Sequence, residues 1–292
     1  YNFYISENQK SYDQQKGFIT AFDFSKWLNN IFLPNNPEYS WIKSVSSKAV
    51  KESIRHGETA FKRFFKHQAK FPCYKKKSKT DRVKAYFPRN NKTDWIAERH
   101  RIKIPTLGYV RLKEKGYIPE NSIIRSGTVS LKAGRYFVSV LIDIPERPKE
   151  SLNTTGLGID LGIKTFAACS NNMIFPNINK SAKIKKLEKK LRREQRRFSR
   201  KLQNHKKGES AQNITKQNLK IQKLYYRLAC IRQDYLHKCV NELVKTKPAY
   251  IAIEDLNVTG MLKNKHLSKA IKDLGFSMFR TMLISKCEYC HI

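Results

Sequence analysis

Gly156-Leu-Gly-Ile-Asp160-Leu-Gly-Ile-Lys164 and Ala249-Tyr-Ile-Ala-Ile-Glu254-Asp-Leu-Asn257 decide how this chain is read. Each is a short run of small and β-branched residues interrupted by one carboxylate. Such runs are expected to form strands buried on both faces of an α/β sheet. A carboxylate placed there is costly unless it meets a metal or a partner charge. Two of them, about 90 residues apart, fit a divalent-metal site for cutting phosphodiester bonds. Side chains alternate along a strand, which sets Asp160 on the face of Gly158 and Glu254 on the face of Ala252. Ile159, Leu161, Ile251 and Ile253 point the other way. Taken singly, either carboxylate also fits a strand-end cap or a salt-bridge partner. Asp255, on the opposite face, is expected to cap the next turn. Two Mg²⁺ ions need roughly three or four carboxylates. The sequence supplies two, so the site is incomplete or is completed elsewhere.

The chain of 292 residues carries 59 Lys or Arg against 24 Asp or Glu, a net charge of +35. In a compact state such an excess repels itself unless a polyanion neutralises it. A content of 40% hydrophobic and 11% aromatic residues argues for a folded core over basic packing protein. Basic membrane anchoring fits less well, because the charge is spread along the chain and not gathered beside an apolar anchor. The sequence shows no apolar run of membrane-spanning length and no signal peptide, so no membrane partner and a cytoplasmic location are expected. Of six cysteines, Cys73, Cys169, Cys230 and Cys239 are scattered, as for free thiols in a reducing cytosol. Tyr1 opens in mid-pattern and Ile292 follows a helical pattern with no stop signal, so both ends are expected to be truncated.

Three regions differ in period. Residues 1–78 read as helical, with Trp27, Leu28 and Ile31 on one face and Ile54, Phe61, Phe64 and Phe65 at near-helical spacing. Residues 79–150 read as a small antiparallel barrel or sheet: Arg101-Ile-Lys-Ile104 and Tyr109-Val-Arg-Leu112 alternate, and Thr128–Lys132 with Tyr136–Asp143 flank the turn Ala133-Gly134-Arg135. Residues 151–292 read as α/β with a helical hairpin inserted at about 181–246. Ile184, Leu187, Leu191, Phe198 and Leu202 mark one arm; Ile221, Leu224, Leu228, Ile231, Tyr235, Cys239 and Leu243 mark the other. Between Lys180 and Arg227 lie 18 Lys or Arg and three acids, Glu188, Glu194 and Glu209. A solvated coiled coil balances its signs; this one does not, which favours a polyanion-facing arm over an ordinary exposed face, with Arg192, Arg193, Arg196 and Arg197 as candidate contacts. The run Lys75-Lys76-Lys77 is a further candidate, favoured by Tyr74, Tyr86 and Phe87 around it, although a solvated loop has the same composition. Cys287 and Cys290 supply only half of a zinc site, and the spacing of Phe276, Phe279, Leu283, Lys286 and Cys290 places both thiols in a helix.

Together and in order, these motifs resemble the TnpB (OrfB) family of transposon-encoded proteins, relatives of type V CRISPR effectors. Trp41-Ile-Lys-Ser-Val-Ser-Ser47, Phe61-Lys-Arg-Phe-Phe65 and Phe71-Pro-Cys-Tyr-Lys-Lys-Lys77 resemble its helical recognition domain. Ile102-Lys-Ile-Pro-Thr-Leu-Gly-Tyr-Val110 resembles its wedge β-barrel. Gly158-Ile-Asp-Leu-Gly-Ile-Lys164, Ile253-Glu-Asp-Leu-Asn257 and Leu267-Ser-Lys-Ala-Ile-Lys-Asp-Leu-Gly275 resemble its RuvC-like, RNase H-type nuclease domain. The resemblance implies an α+β multidomain fold with the three domains in that order. It implies a guide RNA from the transposon end, a double-stranded DNA target beside a short flanking motif, and Mg²⁺-dependent cleavage. Asp160 and Glu254 match the first two catalytic acids. The third, an Asp, follows a four-cysteine zinc ribbon. Cys287 and Cys290 align with the approach to that ribbon, so Zn²⁺ is expected only in a longer protein, and the chain as given is expected to be inactive. The resemblance places the helix from Val45 and the loop at Phe87-Pro-Arg89 where the family reads the flank, with Ser47, Lys48, Lys51 and Arg89 as donors. Two functions remain open: an RNA-guided endonuclease, or an RNA-guided DNA-binding repressor whose nuclease has decayed. A tyrosine-type strand transferase fits less well, since no His-hydrophobe-His motif is present.

Overall fold

The computed structural model describes residues 1–75, 84–89, 91–144, 148, 151–206 and 210–292. They form two compact units, Tyr1–Ile144 and Pro145–Ile292.

The first unit begins with helices α1 (Asn2–Asp13), α2 (Ala21–Trp27), α3 (Leu33–Asn35), α4 (Trp41–Ser44) and α5 (Ser47–Phe65). Thr20 starts α2 by accepting a hydrogen bond from the Asp23 amide at 3.2 Å, satisfying one of the free amides of the first turn. The chain then makes a π-helical turn over Leu28–Phe32, closed by the Leu33 amide on the Leu28 carbonyl. A π turn inserts an extra residue and rotates the residues after it about the helix axis. Ile31, expected beside Trp27 and Leu28, is therefore 55% exposed, and Leu33 is buried in its place. Tyr4 is fully buried and donates its hydroxyl to the Ile19 carbonyl at 2.6 Å. Its ring lies against Gly57 of α5, where an added Cβ would stand 2.5 Å from the ring.

The same unit contains two antiparallel three-stranded sheets. One has β1 (Lys84–Pro88), β5 (Ile124–Lys132) and β6 (Arg135–Ile142) in that order; the other has β2 (Ile96–Ala97), β3 (Arg101–Ile104) and β4 (Gly108–Arg111). β5 and β6 are joined through Ala133 and Gly134, both at positive φ, which matches the twist of a two-residue hairpin. Phe87, Trp95, Ile102, Ile104 and Ile124 share one core.

In the second unit, β7 (Leu157–Leu161), β8 (Thr165–Cys169), β9 (Ile174–Pro176), α6 (Ala182–Gln203), α7 (Gln212–Lys245), β10 (Ile251–Ile253), α8 (Val258–Met261), α9 (Ser268–Leu274) and α10 (Phe276–Cys290) come in order. The sheet order is β10-β7-β8-β9; β10 runs parallel to β7, and the other pairs are antiparallel. One sheet face packs Leu157, Ile159 and Phe166 with Leu236, Leu243 and Phe279 of α7 and α10. The 34-residue α7 has two roles. Ile221, Leu224 and Leu228 close on Ile184, Leu187 and Leu191 of α6, whereas Leu236, Cys239, Val240 and Leu243 belong to the sheet's core. The expected hairpin is thus a paired coil only in its outer part. Leu202, expected in its seam, is 47% exposed.

Gly57 sits in mid-helix, where alanine is the better helix former by about 1 kcal/mol. Because the Tyr4 ring is held by its own hydrogen bond and cannot give way, Gly57→Ala is expected to destabilise the protein by about 1–2 kcal/mol net, overpacking outweighing propensity. A urea midpoint for the variant at or above that of the parent would show that propensity wins.

Candidate functional site

In the parallel register Ile251, Ala252 and Ile253 lie opposite Leu157, Gly158 and Ile159. One position further, Glu254 comes after Ile253 as Asp160 comes after Ile159. Both carboxylates line one shallow cleft with Gly158, Ala168, Ser170 and Ala252. Asp160 pairs with Ala168 across the β7–β8 ladder, and the Ser170 hydroxyl accepts the Gly158 amide at 3.0 Å. The sequence pattern does not single out Ser170, although small residues at 168 and 170 alternate as they do at 158 and 252.

This arrangement overturns the expectation of strands buried on both faces. Asp160, Ala168, Ala252 and Glu254 are exposed, because helices cover only the face bearing Leu157 and Ile159 and the opposite face offers glycine and alanine. The carboxylates therefore bear little desolvation cost, and burial is not what argues for a cation there. The donor set argues for it: two carboxylate side chains at adjacent strand ends suit a hard divalent ion that keeps its remaining positions for water and phosphate oxygens. Among the described residues no group of three or more His, Cys, Asp or Glu gathers where a metal could be held. Asp255 does not cap the next turn. Its carboxylate takes an ion pair from Arg280 of α10, and Asn257 does the capping, accepting the Gly260 amide at 2.9 Å.

On α6, Arg192, Arg193, Arg196 and Arg197 are all placed in the cationic outer part of the hairpin, and all four are exposed. Arg192, Arg196 and Arg200, each about one helical repeat apart, line a shallow groove with Gln195 and Ser199. Arg197 instead reaches Glu194, with Nη1 3.0 Å from Oε1. Glu194 is only 6% exposed. Its other oxygen accepts the buried Gln217 amide at 2.8 Å, and the same amide meets the Glu194 carbonyl at 3.1 Å. The Gln217 hydrogen bond holds the Glu194 carboxyl below the usual glutamate range, with Arg197, Lys220 and Arg193 adding to the effect against desolvation. Arg232 of α7 ties the two hairpin helices to α9 and to the turn after β9: it bonds Asn179 at 2.8 Å, Glu188 at 3.3 Å and Asp273 at 2.9 Å.

The expected donors of the first unit are not equivalent. Ser47 and Lys51 lie on the first turns of α5, with Lys51 exposed. Lys48 is not available in the same way, because its ammonium pairs with Asp94 at 2.5 Å in a half-buried contact. Arg89 comes directly after strand β1, so the expected loop at Phe87-Pro-Arg89 is a strand end; its amide bonds the Arg125 carbonyl at 3.1 Å. Phe87 is 3% exposed and belongs to the β core, which rules it out as a stacking contact. Lys75 places its ammonium 3.8 Å from the centre of the Tyr1 ring, and burial lowers its pKa. Lys76 and Lys77 lie outside the described residues. Cys287 and Cys290 both sit on α10, and burial raises the pKa of the Cys287 thiol.

The sequence profile of the OrfB_IS605 family, described as "Probable transposase", matches residues 139–265, a span that holds Asp160, the basic hairpin and Glu254. "Putative RNA-guided DNA endonuclease InsQ" of Escherichia coli (strain K12) is 31% identical over 268 residues, 90% of this chain and 61% of the relative. "Putative RNA-guided DNA endonuclease" of Streptomyces pristinaespiralis is 30% identical over 253 residues, 86% of this chain and 60% of the relative. The chain is thus similar to members of the TnpB (OrfB) family. It spans about three fifths of the length of these curated relatives. Its fold resembles that in the structure "Cryo-EM structure of the Cas12f1-sgRNA-target DNA complex", with a TM-score of 0.51 at 13% identity, covering 100% of this chain and 69% of the other. No described helix is long and apolar enough to cross a membrane.

The Glu194 contact gives the basic hairpin a pH signature. Because the folded-state pKa is lowered from 4.5, its contribution is fully present above about pH 4.5 and is lost as pH falls through the depressed value. In thermal melts from about pH 7 down to about pH 3, the parent is expected to lose its advantage over Glu194→Gln as the pH drops. A constant gap across that range would remove Glu194 ionisation from the account.

Proposed function

We propose that this chain is the guide-binding and catalytic part of an RNA-guided, metal-dependent DNA endonuclease of an insertion-sequence transposon. It acts on double-stranded DNA beside a short flanking motif, in the prokaryotic cytoplasm or nucleoid. The observation that carries the reading is the pairing of Asp160 and Glu254 in one open cleft of a chain with a net charge of +35. The relatives' names and the likeness of fold to a guide-bound effector support it. In this reading the second unit is the RuvC-like nuclease domain, the helices of residues 1–78 form the recognition domain, and the β segment of 79–150 forms the wedge.

Each part of the chain has a distinct task. Asp160 and Glu254 hold Mg²⁺, which when bound stabilises the charge on the scissile phosphodiester and activates water. Gly158, Ala168 and Ala252 leave the cleft free of bulk, so a phosphodiester backbone can approach the carboxylates. Ser170 fixes the β7 backbone two residues before Asp160 through the Gly158 amide. Arg192, Arg196 and Arg200 offer phosphate contacts along α6, while Arg197 serves Glu194. On α5, Ser47 and Lys51 are the donors placed to read a flanking motif; Lys48 holds Asp94.

A second reading is an RNA-guided DNA-binding repressor without cleavage, favoured by the two-acid cleft among the described residues. Sequence-matched DNA, guide RNA and Mg²⁺ separate the two readings. Asp160→Asn and Glu254→Gln are each expected to abolish cleavage by the guide-loaded protein and to leave guided binding within a few-fold, since affinity comes from base pairing and phosphate contacts. Cleavage at the parental rate by either variant would remove the active-site assignment. With two carboxylates in the cleft, the 292-residue chain alone is expected to bind RNA with a steep salt dependence and to leave DNA uncut. Metal-dependent cutting by that chain would show that two acids suffice.

A further inference from the structure

We propose that the aromatic cluster at the end of α5 is a stacking site for the bases of single-stranded polynucleotide. Phe61, Phe64 and Phe65 of α5, Phe18 from the segment after α1, and Phe71 beyond α5 line a cleft of about 230 Å³. Only Phe61 belongs to the buried core of this unit. Phe65 is 54% exposed, Phe71 44% and Phe18 40%, and Tyr12 at the cleft's edge is 78% exposed. The rings brace one another: Phe18 meets Phe65 edge-on at 5.7 Å and Phe71 meets Phe64 edge-on at 5.3 Å. Folding thus holds the rings in place without covering them.

The charge along the same stretch identifies the occupant. From Thr59 to Lys70, where the chain carries Phe61, Phe64 and Phe65, it has four Lys or Arg and no acid. Lys62 pairs with Glu58, but Arg63, Lys66 and Lys70 are exposed and form no ion pair among the described residues. An apolar protein partner would leave these cations unmatched at its edge. A single-stranded polynucleotide matches both features at once, its phosphates meeting the cations and its bases the rings. A duplex cannot, because its bases are already stacked on one another. The site rests on the nucleic-acid reading above, but it requires only contact with a single strand and not cleavage at the Asp160–Glu254 cleft.

The test is fluorescence anisotropy of the 292-residue chain with labelled oligouridylate, a duplex of the same length, and linear polyphosphate as a charge-only probe. Phe65→Leu and Phe71→Leu keep apolar volume but remove the ring. Each is expected to weaken oligouridylate binding about tenfold while leaving polyphosphate binding, the salt dependence and the melting temperature unchanged; Phe65→Trp is expected to restore or tighten it. Unchanged oligouridylate affinity in both leucine variants overturns the site while sparing the wider reading. So does an equal loss for polyphosphate, which marks a charge-only surface, or a self-association of the parent, seen in sedimentation, that the variants abolish. A parent chain that binds no oligonucleotide of any kind overturns the nucleic-acid reading together with the site.

Discussion

The parallel pairing of β10 on β7 is the constraint on which the second unit depends. It is short, three residue pairs from Ile251 to Ile253, yet it alone sets Glu254 beside Asp160. Its register is strongly specified: a slip of one residue would turn Ile251 and Ile253 out to the open face and Ala252 into the core. Parallel neighbours also demand a long crossover, and here the crossover contains β8, β9, α6 and α7. α7, about 51 Å long at the usual helical rise, buries its inner half on the sheet that carries the carboxylates and its outer half on α6. The basic hairpin is therefore one rigid element with the carboxylate sheet and not an appended arm.

Few acids are available inside a chain this basic, and the second unit uses them at junctions. Glu188 and Asp273 converge on Arg232 from α6 and α9, with Asn179 completing the cluster. All three ionic side chains are about one-fifth exposed, so the guanidinium is spread over partners that satisfy it without isolating a charge from water. Such a network fixes relative orientation when every member is bonded. Glu194 does the same between the two helices of the hairpin, with Gln217 supplying a neutral donor. Acids placed at these joints do not offset the outer face of α6, where Arg192, Arg196 and Arg200 stand. The positive surplus is thereby directed outward, where only a polyanion can neutralise it.

Much of this is legible from periodicity and residue size. The strands at 157–161 and 251–253, their alternation of small and branched residues, the two hairpin arms and the β character of 84–142 come from local patterns. Local reading fails where tertiary context decides. Alternation gives the face of Asp160 but not whether that face is covered, so apolar composition alone suggests burial on both sides. The π turn at Leu28–Phe32 shifts Ile31 outward without any proline or glycine inside it to mark the change. Lys48 and Lys51 look alike in sequence, and only the Asp94 carboxylate, brought back 46 residues later, makes them different. Glu194 reads as one of three minor acids in a cationic run; its burial depends on Gln217 across the hairpin, a residue with no local signal of its own. Phe87 reads as an aromatic neighbour of a basic loop, but its place in β1 aims it inward.

The openness of the carboxylate cleft bears on how the fold and the site are coupled. In a structural metal site, closely packed ligands repel one another until the ion arrives, so binding and folding are one event. Asp160 and Glu254 stand on a solvated face, and the core beneath them is built from Leu157, Ile159 and the helices behind. The sheet can form with both carboxylates hydrated, so in the proposed function an ion would be recruited late and shared with a phosphodiester. Exposure that weakens the case for a buried metal centre thus suits a cation whose remaining ligands come from substrate and water. The bulk-free glycine and alanine positions around the two acids keep that approach open, and the same register that aligns the acids keeps the branched residues on the covered side.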